Sequence, residues 1–428
     1  MNRDDAVALD RADPLAPLRD LFDLPEGTIY LDGNSLGALP RATAGRVAEV
    51  VTQEWGQGLI ESWNTSSWIT LPQRVGDKVA RLIGAGQGEV VVADSTSLNV
   101  YKVLASALSI ASVDSPERRV VVSERSNFPT DLYIASSLCR ERGYELVLVD
   151  SPDEISALLD QTAVLMLTEV NYRTGYLHDM ASVTALAHEH GVLTVWDLCH
   201  SAGALPVDLV EHDADFAIGC GYKFLNGGPG SPAFLWVNPR HVDRFEQPLS
   251  GWMGHAAPFE MSPGYRPAEG VSRYLSGTPA VIGISALECG VDTLLAAEAY
   301  GGLEAIREKS LALTRIFAHL VASRLPGFTI ESPLDDDQRG SQLSLSVSDD
   351  GAYAIVQALI ERGVIGDFRA GSIASGSASA GSPDILRFGV TPLYTRYVDV
   401  WDAVDHLVSV MDNDEWRDER FWTRGAVT

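Results

Sequence analysis

The chain has 428 residues, 46% of them hydrophobic, with 38 glycines, which allows two domains, or one large layered domain, and argues against disorder. Lys and Arg number 32 against 58 Asp and Glu, a formal charge of −26, and this argues against nucleic acid or an anionic membrane as partner, since phosphate binding needs clustered cations. Four scattered cysteines without C-x-x-C spacing, an N-terminus without an apolar core and no run of transmembrane length lead us to expect a cytoplasmic protein.

Residues 1–45 read as an arm around one tight turn, Y-L-D-G-N-S-L-G-A-L-P (Tyr30 to Pro40). There Asn34 and Ser35 are either part of a plain connection or part of a pocket rim. Helical spacing over 43–56 leads into a polar-aromatic loop, Ser62 to Trp68, whose Trp63 and Trp68 are core anchors or walls for a flat ring. Val90 to Val92 predict a short buried strand, after which Ser95, Thr96 and Ser97 cap a helix with Val100, Val103, Leu104, Ala107 and Leu108 on its apolar face. Free N–H groups at such a helix start favour an anion, although Ser/Thr caps open most helices.

Apolar strands at 119–123, 145–149, 163–167 and 193–196 then alternate with helical lengths. That rhythm predicts an α/β domain with a mostly parallel sheet covered on both faces, whose ligands bind off the carboxyl ends of the strands. Thr96, Asp131, Thr168, Asp197 with His200, and Lys223 follow the strand ends, which puts five polar sites on one rim.

The stretch Asp215 to Gly230 reads D-F-A-I-G-C-G-Y-K-F-L-N-G-G-P-G. An apolar run, a Tyr-Lys pair and a glycine cluster suit a strand that delivers Lys223 into a cavity. The other lysines, Lys78, Lys102 and Lys309, fall in stretches that read as polar and helical. A lysine among Tyr, Phe, Leu and Gly is either a surface side chain on an apolar stem or a desolvated amine with a depressed pKa, able to form an imine. Beyond it come G-W-M-G-H (Gly251 to His255), the loop R-Y-L-S-G-T-P (Arg273 to Pro279) and a long amphipathic helix over about 300–325. Short strands at 328–330, 343–347, 364–368 and 385–388, with helices near 351–362 and 398–411, predict a smaller α+β domain. The expected organisation is an arm at 1–45 joining the small domain, a large domain at 46–295 and a small domain at 296–428, with a flexible Ser/Gly-rich loop between Ala370 and Pro383. No metal is expected, since His188 and His190 lack the H-E-x-x-H spacing.

A reactive lysine, a phosphate cradle and a carboxylate on one rim meet the needs of pyridoxal 5′-phosphate. Lys223 suits the imine, the Thr96–Ser97 helix start the phosphate, and Asp197 the pyridinium nitrogen, although Asp197 would also serve as a helix N-cap.

Seven blocks, Asp94–Leu104, Ser126–Ala135, Thr168–Gly175, Asp197–Asp208, Gly219–Gly230, Gly251–His255 and Arg387–Tyr397, together resemble kynureninase, in its bacterial form. The resemblance covers nearly the whole chain, and D-L-C-H-S-A-G-A and G-Y-K-F-L-N-G-G-P-G are its most specific motifs. It implies an aminotransferase-like fold of type I with a seven-stranded sheet, and a homodimer with pyridoxal phosphate sites shared between subunits. The implied reaction is hydrolysis of L-kynurenine to anthranilate and L-alanine through a quinonoid and cleavage of the β,γ carbon–carbon bond. By the same resemblance Lys223 carries the imine and shuttles the α-proton, Asp197 pairs with the pyridine nitrogen and Phe128 stacks on the ring. Pro129 and Thr130 also bind the cofactor, while Asp131, Thr168 and His200 line its other edge. Thr96, Ser97, Tyr222, Trp252 and Thr278 hold the phosphate, the last two from the neighbouring subunit. Tyr222 is also the acid–base group at the substrate carbonyl. Arg387 clamps the α-carboxylate, a role for which the residue alone gives no reason to prefer it over an exposed arginine. Ser35, Trp63 and Gly277 complete the substrate site, and the residues at Trp63, Gly277 and Thr278 favour plain kynurenine over 3-hydroxykynurenine, which is a possible second substrate.

The stretch before Arg387 is longer than the family pattern, which bears on where Arg387 lies. A cysteine desulfurase would need a nucleophilic cysteine on a C-terminal loop, and none follows Cys289. An aminotransferase is the remaining enzymatic alternative. A ligand-sensing regulator would need a basic N-terminal domain that the first 45 residues do not supply.

Overall fold

The computed structural model describes residues 1–244, 247–348, 351–371 and 381–425. The chain folds into two compact units. One comprises Ala42–Glu169 and His178–Asp292; the other comprises Met1–Arg41, Val170–Leu177 and Thr293–Thr428. Val170–Leu177, expected within the large domain, thus groups with the terminal unit.

In the first unit, valine- and leucine-rich runs form seven strands among the described residues: β1 (Val90–Val92), β2 (Val120–Glu124), β3 (Glu145–Val149), β4 (Thr162–Thr168), β5 (Leu193–Asp197), β6 (Phe216–Gly219) and β7 (Phe234–Val237). Their order is 1-7-6-5-4-2-3. β7 pairs antiparallel with both β1 and β6, and the remaining pairs are parallel. All seven residues of β4 are buried, as a strand covered on both faces requires. The register sets Thr168 opposite Asp197 and Asp197 opposite Ile218, so the ends of β4, β5 and β6 lie side by side. The helix Thr96–Asp114 buries Val100, Val103, Leu104, Ala107 and Leu108 in the core that backs this sheet.

Asp215, just ahead of β6, anchors the strand that leads to Lys223. It is 1% exposed, and its carboxylate accepts from Thr194 N at 2.8 Å and Arg240 Nη2 at 2.7 Å and meets the His188 and His241 rings at 2.8 and 2.7 Å. Burial alone would raise this carboxyl, but the hydrogen bonds from His188, His241 and Arg240 hold it far below the ordinary carboxylate range.

The second unit holds a four-stranded antiparallel sheet of β8 (Phe328–Ile330), β9 (Gln342–Val347), β10 (Asp367–Arg369) and β11 (Ile385–Gly389), in the order 8-9-11-10. Helices Gly302–Arg324, Ala352–Glu361 and Tyr397–Asp412 pack Leu313, Phe317, Ile355 and Val404 around Phe388 of β11. The single strand expected over 364–368 is two pieces. Val364–Ile365 pairs in parallel with Ile29–Tyr30, and β10 joins the four-stranded sheet. This split, with a bridge from Asp32 to Gly389, seats the Tyr30–Pro40 turn against β11. The loop expected between Ala370 and Pro383 falls mostly on 372–380, outside the described residues. Among the described residues no helix is long and apolar enough to cross a membrane.

Candidate active site

β6 ends at Gly219, and the chain turns through Cys220–Gly230 with Gly227 N donating to Gly221 O at 2.8 Å. A Cβ at Gly221 would lie 2.3 Å from Pro232 O, and one at Gly227 2.3 Å from Ser231 Oγ, so this turn closes only on glycine. It delivers Lys223 Nζ to 3.0 Å from His200 Nε2, 5.8 Å from the Phe128 ring centroid and 5.7 Å from that of Tyr222. Two buried carboxyls share this space. Burial and the neighbouring Asp197 charge, with a hydrogen bond between the two side chains, raise Asp131 well above the ordinary carboxylate range, against the pull of Lys223. In that hydrogen bond the raised Asp131 is the partner that carries the proton, and Asp197 Oδ1 also accepts from Cys199 N at 2.7 Å.

The Lys223 amine departs from expectation. Burial works against its charged form, but Cys220, Cys199, Tyr222 and Asp197 around it more than offset that, and its pKa is raised, not depressed. Composition around a lysine reports desolvation; it does not reveal which ionisable groups the fold places within reach. Nor are the other lysines all solvated, as their sequence context implied. Lys102 is fully buried, 2.5 Å from Asp94 Oδ2, and Lys309 is 6% exposed, 2.7 Å from Asp13 Oδ2. What sets Lys223 apart is a histidine and a proton-sharing carboxyl pair in place of a direct ion pair.

Phe128 precedes the helix Pro129–Arg142 and is 41% exposed, while Pro129 and Thr130 in the helix's first turn are half-buried. Asn127, which sequence reasoning missed, ties this corner to β4: its Oδ1 accepts from Phe128 N at 2.6 Å and from the Thr168 hydroxyl. Thr96 and Ser97, both half-buried, open the helix Thr96–Asp114, where the N-cap Ser95 accepts from Leu98 N. Thr96 Oγ1 lies 3.9 Å from Cys199 Sγ, so the helix start adjoins the residues that follow Asp197. Burial pushes the Tyr222 phenol up to about 12, so it is protonated at neutral pH.

Two further groups of expected residues lie in this unit. Trp252 packs edge-to-face with Trp63 at 6.2 Å and with Phe259 at 5.6 Å, and Trp63 does the same with Trp68. The expected loop around Trp63 is in fact two short helical turns, Ser62–Thr65 and Trp68–Thr70. Gly277 and Thr278, both exposed, line a cavity of about 270 Å³ with Val92, Asp94 and Gly230.

Arg387 and Ser35 belong to the second unit. Arg387 is 1% exposed, not an exposed arginine. Its Nη2 donates to Asp367 Oδ2 at 2.5 Å and Ser35 Oγ at 2.6 Å, and its Nη1 to the Tyr172 carbonyl at 2.8 Å. Asp367 sits opposite Arg387 in the β10–β11 register and also pairs with Arg369 at 2.7 Å. Asp32, Asp367, Arg369 and Tyr172 were not singled out from the sequence. The alternation D-F-R on a strand, which puts Asp367 and Arg369 on one face, was the available signal.

Comparison with known proteins decides the family. The chain is 55% identical over 431 residues to a kynureninase from Burkholderia pseudomallei (strain 1106a), a match covering 100% of this chain and 99% of that protein. It is 52% identical to a kynureninase from Pseudomonas fluorescens with the same coverage. The family model of the kynureninase C-terminal domain matches residues 306–407. The chain belongs to the kynureninase family. Among solved structures, an apo cysteine desulfurase from Thermococcus onnurineus NA1 superposes with a TM-score of 0.75 at 19% identity, over 93% of this chain and 97% of that one. That likeness shows the fold, which is aminotransferase-like of type I. The kynureninase blocks noted in the sequence include the turn that carries Lys223 and the β11 region that carries Arg387.

Proposed function

We propose that this protein hydrolyses L-kynurenine to anthranilate and L-alanine with pyridoxal 5′-phosphate held on Lys223. The observation that carries this reading is identity above half to kynureninases along the whole chain. The residues around Lys223 fit the group. A lysine amine, a carboxyl pair with a single proton and a half-exposed phenyl ring meet the three demands of a protonated pyridine aldehyde. When bound, pyridoxal phosphate supplies an electron sink that acidifies the substrate's α-carbon.

The chain's own residues supply the rest. Asp197, kept company by the protonated Asp131, is the anion for the pyridine nitrogen, and Phe128 with Pro129 and Thr130 covers one ring face. Thr168 and His200 edge the ring. Thr96 and Ser97 offer backbone N–H groups and hydroxyls to the phosphate at the positive end of their helix. Lys223 would take the α-proton. Tyr222, protonated at neutral pH, first donates to the γ-carbonyl oxygen as water adds. Arg387 and Ser35 receive the α-carboxylate.

We read the protein as a cytoplasmic homodimer in which Trp252 and Thr278 reach the phosphate of the neighbouring subunit, with Trp63 and Gly277 at the substrate ring. Trp55, Leu59, Ile60 and Ile282 are exposed, an apolar surface that a second copy would cover. L-Kynurenine is the preferred substrate and 3-hydroxykynurenine the slower one. The test is fluorescence of anthranilate when L-kynurenine meets purified protein with pyridoxal phosphate. Anthranilate with an equal amount of alanine is the expected result. Cofactor binding without anthranilate, or turnover that depends on an added keto acid, would overturn it in favour of transamination.

A further inference from the structure

The polar cluster around Arg387 contains one more carboxylate than an anion site needs. Asp32 Oδ1 lies 4.0 Å from Arg387 Nη2, with its side chain 17% exposed. Ser35 joins the two acids: its hydroxyl donates to Asp367 Oδ2 at 3.1 Å and its backbone N–H to the Asp32 carbonyl at 2.9 Å. The groups facing Asp32 are Asp367 and Arg369 on β10, Arg387 on β11, and the uncharged phenols of Tyr30 and Tyr394. The permanent cations are Arg387 and Arg369, and Asp367 cancels one of them by pairing with both. One positive charge then remains for an incoming carboxylate while Asp32 is neutral, and none remains once Asp32 ionises.

Resting on the reading of Arg387 as the carboxylate clamp, we propose that Asp32 is an affinity-setting residue whose charge competes with the substrate's α-carboxylate, so that substrate binds together with a proton on Asp32. Burial and the nearby Asp367 charge support this, since against the pull of Arg387, Ser35 and Arg369 they raise Asp32 to about 7. The sign follows from linkage. Below that pH Asp32 is neutral and the site open; above it each binding event must draw a proton from solution. KM for L-kynurenine therefore climbs toward about tenfold per pH unit.

The experiment compares KM and kcat for L-kynurenine in wild-type, Asp32→Asn and Arg387→Gln holoenzymes across about one and a half units either side of pH 7. A KM that rises with pH in the wild type and is flat in Asp32→Asn is expected. An equal slope in both overturns the proposal. If Arg387→Gln leaves KM unchanged, the clamp reading falls and the proposal with it; if Arg387→Gln raises KM while Asp32→Asn keeps the wild-type slope, only the proposal falls. Should Asp32→Asn not fold, the wild-type holoenzyme suffices. Near pH 7.5 it should take up about half a proton or more in excess when saturated with L-alanine rather than ethylamine, which lacks the carboxylate. Equal uptake with both ligands contradicts the proposal.

Discussion

Two cations organise this molecule, and they are treated in opposite ways. Arg387 is fixed by a carboxylate, a hydroxyl and a carbonyl, all within 2.8 Å of its two terminal nitrogens. Lys223 has a histidine nitrogen at 3.0 Å, two aromatic faces nearly 6 Å away and a carboxyl pair that holds a proton between its members. The guanidinium is held in one orientation by fixed partners, which suits the carboxylate-receiving role proposed for it. The amine is left beside groups able to exchange protons, which suits the role proposed for Lys223. Lys102 and Lys309, each in direct contact with a carboxylate, are built like Arg387 and not like Lys223.

That contrast is broken first at Lys223. Lys223→Ala is expected to abolish turnover, measured as anthranilate release, whereas Lys102→Ala should act through stability alone. Tyr222→Phe keeps the ring and removes the proton, so the cofactor should still bind while kcat falls by about 100-fold or more; wild-type rates would remove Tyr222 from the chemistry. Asp215→Asn probes a buried charge cluster that supports β6 without touching substrate. It should lower the unfolding free energy at neutral pH by about 3 kcal/mol in denaturant titrations. Because the Asp215 pKa is depressed, its contribution is complete above the ordinary carboxylate range and is lost as pH falls below it, so wild type and variant should converge in acid. Arg387→Gln should raise KM for L-kynurenine by about 10- to 100-fold with a smaller change in kcat, the scale of lost hydrogen bonds to a charged group. The smallest effect is in substrate choice: kcat/KM for L-kynurenine should exceed that for 3-hydroxykynurenine by roughly tenfold, and equal values would contradict the roles given to Trp63, Gly277 and Thr278.

The sheet was legible because fully buried strands must be continuous apolar runs, and Val90–Val92 or Thr162–Thr168 admit little else. Lys223 was legible because its glycines and aromatics are local in sequence. The environment of its amine was not, since Asp197 at the end of β5, Cys199 and His200 just beyond it and Asp131 on a helix reach it from elsewhere in the chain. Lys102 and Lys309 misled for the same reason: their partners Asp94 and Asp13 are obvious only once a helix is folded against its neighbours. At Arg387 the split of residues 364–369 into two strand pieces brings Asp32, Ser35 and Asp367 together, and the isolated Gly366 was the one local signal of that break.

The most direct test of Lys223 as the cofactor lysine is chemical. Holoenzyme reduced with borohydride and digested should carry the pyridoxyl mass on the peptide containing Lys223, with the peptides of Lys78, Lys102 and Lys309 unmodified. A pyridoxyl group on any of those three, with Lys223 bare, would contradict the assignment and the contrast built on it.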